Sequence, residues 1–217
     1  MTSRWRTAFP RAIRRPRGDF DSTLSAILKL RMDQKKPPFQ PLGFTLTVAA
    51  AMLRLVPHPP NFTPIGGVAL FGGAKLRGWQ AYVVPLLAMV VTDPIRSRIE
   101  GHYAAYSWAT LIIYGCFLIN VVLGRLFLRH SSSALKIASV AIAGSVQFYL
   151  ITNFFEWLVS MPPYTHDAAG LMACYIAALP FFGRTLLGDL FYTGVLFTAY
   201  ALLKRRIPAE NRTLSAA

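Results

Sequence analysis

Two long apolar stretches govern what this chain can become: AAYSWATLIIYGCFLINVVLGRLF at 104–127 and ALKIASVAIAGSVQFYLITNFFEWLV at 134–159. Each exceeds the roughly twenty residues that an α-helix needs to cross a bilayer core about 30 Å thick. Within hydrocarbon no water satisfies the backbone, so such stretches must be helices that close their own hydrogen bonds. Five shorter apolar blocks accompany them, at 42–56, 62–76, 79–91, 168–182 and 185–203. Only 15% of the 217 residues are charged, against about a quarter in a soluble domain. The expectation is an all-α, polytopic membrane protein.

The placement of charge decides how many blocks cross. Ten of the 23 Lys and Arg lie in residues 1–36, so the positive-inside rule puts the N-terminus in the cytoplasm. The connection 57–61 is then outside and lacks Lys and Arg, while Lys75 and Arg77 fall inside. The 93–103 connection is outside, with Arg96 and Arg98 matched by Asp93 and Glu100. Arg125, Arg129 and Lys136 return inside, and 160–167 is again outside without Lys or Arg. Seven full crossings would strand Lys204, Arg205 and Arg206 outside. Six crossings bring them inside, with 168–182 a short re-entrant or surface helix before the last span. The reading is a multi-pass protein of the inner (plasma) membrane with both termini inside.

Three segments follow: a basic, disordered cytoplasmic tail at 1–41, a membrane domain at 42–206 and a short tail at 207–217. Residues 1–41 lack the apolar core and cleavage site of a secretory signal, and 21–32 could form an amphipathic helix on the inner surface. The net charge of +14 raises nucleic acid as a partner. The basic residues, however, sit at block edges without interleaved aromatics, which fits lipid headgroups and no nucleic acid. Cys116 and Cys174 lie inside apolar blocks as small buried residues. His58 and His166 fall in outer loops with no matching ligand spacing near His58, so neither a metal nor a cofactor is expected.

PHPPNFTPIGGVALFGGAKLRG, residues 57–78, reads as an outer connection, a short glycine-rich helix and an inner turn. Deleting that crossing would invert every later loop. Ala69 and Gly73 stand four apart, and with Gly66 they offer a small-residue face for helix docking. A phosphate loop is excluded, since no Gly-Lys-Ser/Thr follows a strand.

Polar groups at membrane depth are costly and are therefore candidates for function. Asp93 closes the third helix, within reach of Arg96 or Arg98. Asn153 and Glu156, three apart, share a helix face, with Trp157 beside them. Arg184 and Asp189 flank the start of the last helix and meet different neighbours, the deeper Asp189 being paired. Asn61 and Thr63 precede Pro64 as caps of the short helix and line a cavity. Trp157 and Tyr175 are placed to stack on a planar ligand. The other aromatics, Tyr103, Tyr106, Trp108, Tyr149, Phe154 and Tyr164, suit an interfacial belt and packing. No histidine lies within an apolar block, so no acid–base cluster forms and no enzyme is expected.

FTPIGGVALFGGAKLRGWQA is similar to the second helix of the substrate-binding (S) components of energy-coupling-factor (ECF) vitamin transporters. That stretch with TNFFEW, GLMACYIAALPFF and TLLGDLFYTGVLF also resembles a bacterial family of uncharacterised six-helix, S-component-like membrane proteins, over roughly residues 50–205. The resemblance implies a six-helix monomer that captures a small vitamin-like molecule from outside. It further implies a transmembrane coupling subunit and two cytoplasmic ATPases as partners, with outer loops 57–61, 93–103 and 160–184 closing over the ligand. The first helix lacks the alanine-every-four pattern that docks S components on their partner, unless Ala69 and Gly73 serve instead, and no pocket signature points to a particular vitamin. The competing reading, a structural or accessory subunit of a larger membrane assembly, predicts a filled interior.

Overall fold

The computed structural model describes residues 40–101, 106–160 and 162–206. The tails at 1–39 and 207–217, and with them the expected disorder and the amphipathic helix at 21–32, lie outside the described residues. Within them the protein is helical: α1 (Pro41–Met52), α2 (Ile65–Lys75), α3 (Gln80–Glu100), α4 (Trp108–Leu123), α5 (Ala134–Val159) and α6 (Ala168–Arg206). A 3-10 turn, Leu53–Leu55, extends α1, and a π turn, Gly124–Leu128, extends α4. Among the described residues three segments are long and apolar enough to cross a membrane: Trp108–Leu128, Ala134–Val159 and Ala168–Arg206. The apolar part of α3 is followed by Asp93, Arg96, Arg98 and Glu100, which lower its average hydropathy.

Successive helices run antiparallel. At one end Gly43 of α1 packs on Lys75 of α2. The Lys75 ammonium donates to the Leu128 and Arg129 carbonyls and lies over the rings of Phe197 and Tyr200. Arg125 lies over Tyr82 near the start of α3. At the opposite end Arg54, Asp93 and Tyr114 meet. The first end therefore collects Lys75, Arg77, Arg125, Arg129, Lys136, Lys204, Arg205 and Arg206.

The short glycine-rich segment is the axis of the bundle. Every residue from Pro64 to Ala74 is buried, as expected of a helix apolar all round. Its small residues admit three neighbours. A Cβ at Gly66 or Gly67 would overlap α6 at Asp189 or Tyr192–Thr193, at Gly72 it would meet Pro85 of α3, and at Gly73 the Val121 carbonyl of α4. Gly66, Ala69 and Gly73 are thus spent on contacts inside the fold, and their face is not open to a separate subunit.

Two expectations are corrected. Residues 168–182 are not a separate re-entrant or surface helix; they and the last span form one 39-residue helix with Pro180 inside it. Such a helix is about 58 Å long at 1.5 Å per residue, so it exceeds a bilayer core unless it tilts or projects. Continuity past Pro180 is supported from α5: Tyr149 Oη donates to the Tyr175 carbonyl at 2.6 Å, and Tyr175 Oη to the Leu150 carbonyl at 2.8 Å. Nor does α3 stop at Asp93; the expected loop from 93 is helical to Glu100 and ends at Gly101, whose φ is 67°. Pro94 withholds the N–H that the Val90 carbonyl would receive. Tyr106 Oη supplies the replacement at 2.6 Å.

Candidate functional site

A cavity of about 190 Å³ opens between α5, α6 and the segment leading into α2. Phe148, Tyr149, Phe181 and Phe182 give it aromatic walls, with the Tyr149 and Phe182 ring centroids 4.7 Å apart. Asn61, Thr152, Asn153 and Thr185 give it a polar lining, and among the described residues no charged side chain lines it. Asn61 adopts φ 65°, a left-handed conformation that asparagine tolerates better than most residues.

The hydrogen-bond inventory makes the lining rich in acceptors. Asn153 Nδ2 donates to the Tyr149 carbonyl at 2.8 Å, which fixes the amide and leaves Oδ1 without a partner among the described residues. The hydroxyls of Thr152 and Thr185 donate to the Phe148 and Phe181 carbonyls. Each retains acceptor capacity on its oxygen.

One turn beyond Thr185 along α6 lies Asp189, 4% exposed. Ser145 Oγ stands 2.6 Å from its Oδ2, and its carboxyl abuts the Gly66 backbone at the N-terminus of α2. Nearby on α4 and α5, Gln147 Nε2 donates to the Cys116 carbonyl at 3.0 Å and to Asn120 Oδ1 at 3.1 Å. Asn120 Nδ2, Gln147 Oε1 and Thr193 Oγ1 are buried without partners among the described residues.

Asp93 belongs to a different cluster. Arg54 pairs with its Oδ1 and donates to Thr92 Oγ1 at 2.7 Å, while Tyr114 Oη donates to Asp93 Oδ2 at 2.5 Å. Arg54 and Asp93 are 12% and 13% exposed. The cluster ties the end of α1 to α3 and α4.

Residues 35–210 match a family of unknown function, DUF6580. The chain belongs to that family. No curated protein and no solved structure matches it. For this DUF6580 member, then, site residues have to be judged on geometry.

Of the candidates named from sequence, Asn61 and Asn153 converge on the cavity, and Asp189 lies one turn below it. The N-cap of α2 is Pro64 rather than Asn61 or Thr63, and Thr63, one residue earlier, accepts the Ile65 N–H at 3.2 Å. Tyr175 sits beside the cavity in an apolar groove of about 320 Å³ with Leu171, Met172, Ile176 and Leu179. Glu156 is exposed and accepts from Ser160 Oγ. Trp157 donates to the Thr165 carbonyl and packs on Phe154 and His166, bracing the turn after α5. Arg184 is exposed, and it and Asp189 lie in the middle of α6 rather than at a helix start. Asp93 forms an ion pair with Arg54, a partner that the sequence reading did not name. Asp189 has no ion-pair partner among the described residues.

Sequence reading missed Ser145, Asn120, Gln147, Tyr114 and Thr193. Asparagine and glutamine within apolar stretches carried the same signal of costly burial that singled out the acids. Cys116 and Cys174 are buried and free.

Proposed function

We propose that this chain is a six-crossing inner-membrane protein, with both termini cytoplasmic, that captures a small uncharged molecule at its outer face. Three observations support the topology: the antiparallel helices, the gathering of eight Lys and Arg at one end, and the three long apolar helices. The single observation that carries the ligand reading is the uncharged, aromatic-walled cavity near the opposite end. Its acceptor-rich lining suits a flat molecule bearing N–H or O–H donors, which vitamin-like heterocycles provide. Uptake with a coupling subunit and two ATPases rests on the likeness of residues 62–81 to S components. The cavity counts against the accessory-subunit reading, which expects a filled interior.

A thermal-shift screen of vitamins and neutral heterocyclic precursors on the purified chain tests this reading. Ligand at a hundred times its Kd stabilises the native state by about 2.7 kcal/mol. Ala178→Leu, which fills the cavity from α6, keeps the unliganded Tm and loses the shift. The reading fails if no compound raises Tm, or if the shift survives in Ala178→Leu.

A further inference from the structure

The hydrogens available inside the cavity narrow what it can hold. Three of its hydroxyls have already spent theirs: Thr152 on the Phe148 carbonyl at 2.7 Å, Thr185 on the Phe181 carbonyl at 3.1 Å, and Tyr149 on the Tyr175 carbonyl at 2.6 Å. Each keeps only lone pairs for a ligand. The remaining polar groups of the lining are two side-chain amides, Asn61 and Asn153. An amide differs from a hydroxyl in carrying a fixed acceptor beside a fixed donor.

Both amides are held in place and open to the cavity. Asn153 Nδ2 donates to the Tyr149 carbonyl at 2.8 Å, which sets the orientation of the group and leaves Oδ1 free. Asn61 makes no side-chain hydrogen bond among the described residues. Its φ of 65° is a conformation that asparagine and glycine accept readily. The next residue, Phe62, anchors it, packing on Phe191 and Tyr192 with ring centroids 5.9 and 5.5 Å apart. Gly188 lets α6 come up against the backbone of Phe62 and Thr63.

Volume and charge set the rest. A cavity of about 150 Å³ takes one benzene ring, so the 190 Å³ here suits one six-membered ring with a small substituent. The faces of Phe148, Tyr149, Phe181 and Phe182 favour an aromatic ring in offset or edge contact. With no charged side chain in the lining among the described residues, a carboxylate or ammonium would lose its water without gaining a counter-ion.

We infer that the cavity takes a neutral single-ring compound with an amide or lactam edge, an N–H beside a carbonyl. Asn153 Oδ1 accepts from the N–H, and Asn61 Nδ2 donates to the carbonyl. Paired donors and acceptors of this kind are what an asparagine amide reads on a base edge. The assignment rests on the capture reading above and narrows it to one substrate class.

Thermal shifts of the purified full chain test it with five probes: 2-pyridone and benzamide, which carry the whole edge; N-methyl-2-pyridone and N,N-dimethylbenzamide, which lack the N–H; and aniline, which lacks the carbonyl. Affinities follow from Tm against probe concentration. 2-Pyridone and benzamide should bind about tenfold tighter than the other three, the worth of one hydrogen bond whose partner is otherwise left unpaired. Their shifts should vanish in Ala178→Leu. Asn61→Gly, which keeps the left-handed backbone, should bring 2-pyridone down to the affinity of aniline. Asn153→Leu should bring it down to that of N-methyl-2-pyridone. Equal affinities for all five probes in the native chain overturn the assignment, as does an Asn61→Gly chain that still prefers 2-pyridone to aniline. If neither 2-pyridone nor benzamide raises Tm while another compound of the vitamin screen does, the class is wrong and capture stands. If no compound does, capture fails with it. Should a variant fail to fold, the ranking of the probes on the native chain decides.

Discussion

Replacing Gly73 by alanine measures how closely α2 and α4 must approach. The added Cβ would overlap the Val121 backbone carbonyl, and the reciprocal contact at the same crossing sets Gly124 against the Leu70 carbonyl. A backbone carbonyl cannot swing aside as a side chain can, so the helices must separate. Overpacking of this kind costs about 1–3 kcal/mol, and the rigid obstacle puts Gly73→Ala near the upper end. Alanine in place of glycine within a helix returns about 1 kcal/mol. The expected net loss is about 2 kcal/mol, which lowers Tm by about 4–8 °C at 2–4 °C per kcal/mol for a chain of this size. Gly115→Ala and Gly194→Ala meet nothing within 4 Å and receive the propensity gain alone, about +1 kcal/mol. Thermal unfolding of the four variants in one detergent, followed by tryptophan fluorescence, compares them. Gly73→Ala and Gly124→Ala should fall, Gly115→Ala and Gly194→Ala should hold or rise, and the Gly73/Gly124 double variant should lose less than the sum, because the first displacement makes room for the second. If Gly73→Ala proves as stable as Gly194→Ala, close packing at this crossing is refuted.

Removing one member of the Arg54–Asp93 pair strands the other nearly buried, so Asp93→Asn or Arg54→Met should each cost about 3 kcal/mol; the double variant should recover part of that loss in a thermodynamic cycle. Tyr114→Phe removes a hydrogen bond to the same carboxylate and should cost about 1.5–3 kcal/mol, read as a fall in Tm. At the start of α6 the Gly170 N–H and the Thr165 hydroxyl hold the Asp167 carboxyl below its usual range. A lowered acid stabilises above its unfolded pKa of about 4 and loses that contribution as pH falls further. Amide exchange at 168–171 should therefore speed up relative to the helix interior below about pH 4, and Asp167→Asn should flatten the change.

Much of the helical order was legible in sequence. The block 134–159 coincides with α5, and the block 42–56 with α1 and its 3-10 turn, because a backbone shut away from water has few alternatives to a helix. The site was legible only in pieces. Asn153 and Asp189 stand out as costly polar groups and Asn61 as a cap that lines a cavity, and the three do gather near one junction. Asp93, Glu156 and Arg184 stand out for the same reason, and Trp157 as a stacking platform, but they serve other contacts or the surface. Rarity of a polar residue reports the cost of burying it, not the neighbour that offsets the cost.

By itself the sequence determined the class of structure, the order of its helices and the smallness of the central one, since apolar length and glycine content act locally. The tertiary structure alone decided that two helices continue past a proline. Pro94 and Pro180 look alike as breakers, yet α3 and α6 run through both, and at Pro94 the freed carbonyl is answered by a tyrosine twelve residues on, beyond the helix end. It likewise decided that the glycines of α2 face three different helices and that the buried Asp189 meets a serine rather than a cation. Those outcomes depend on which distant side chain arrives beside a given group, and residue spacing along the chain carries no record of that.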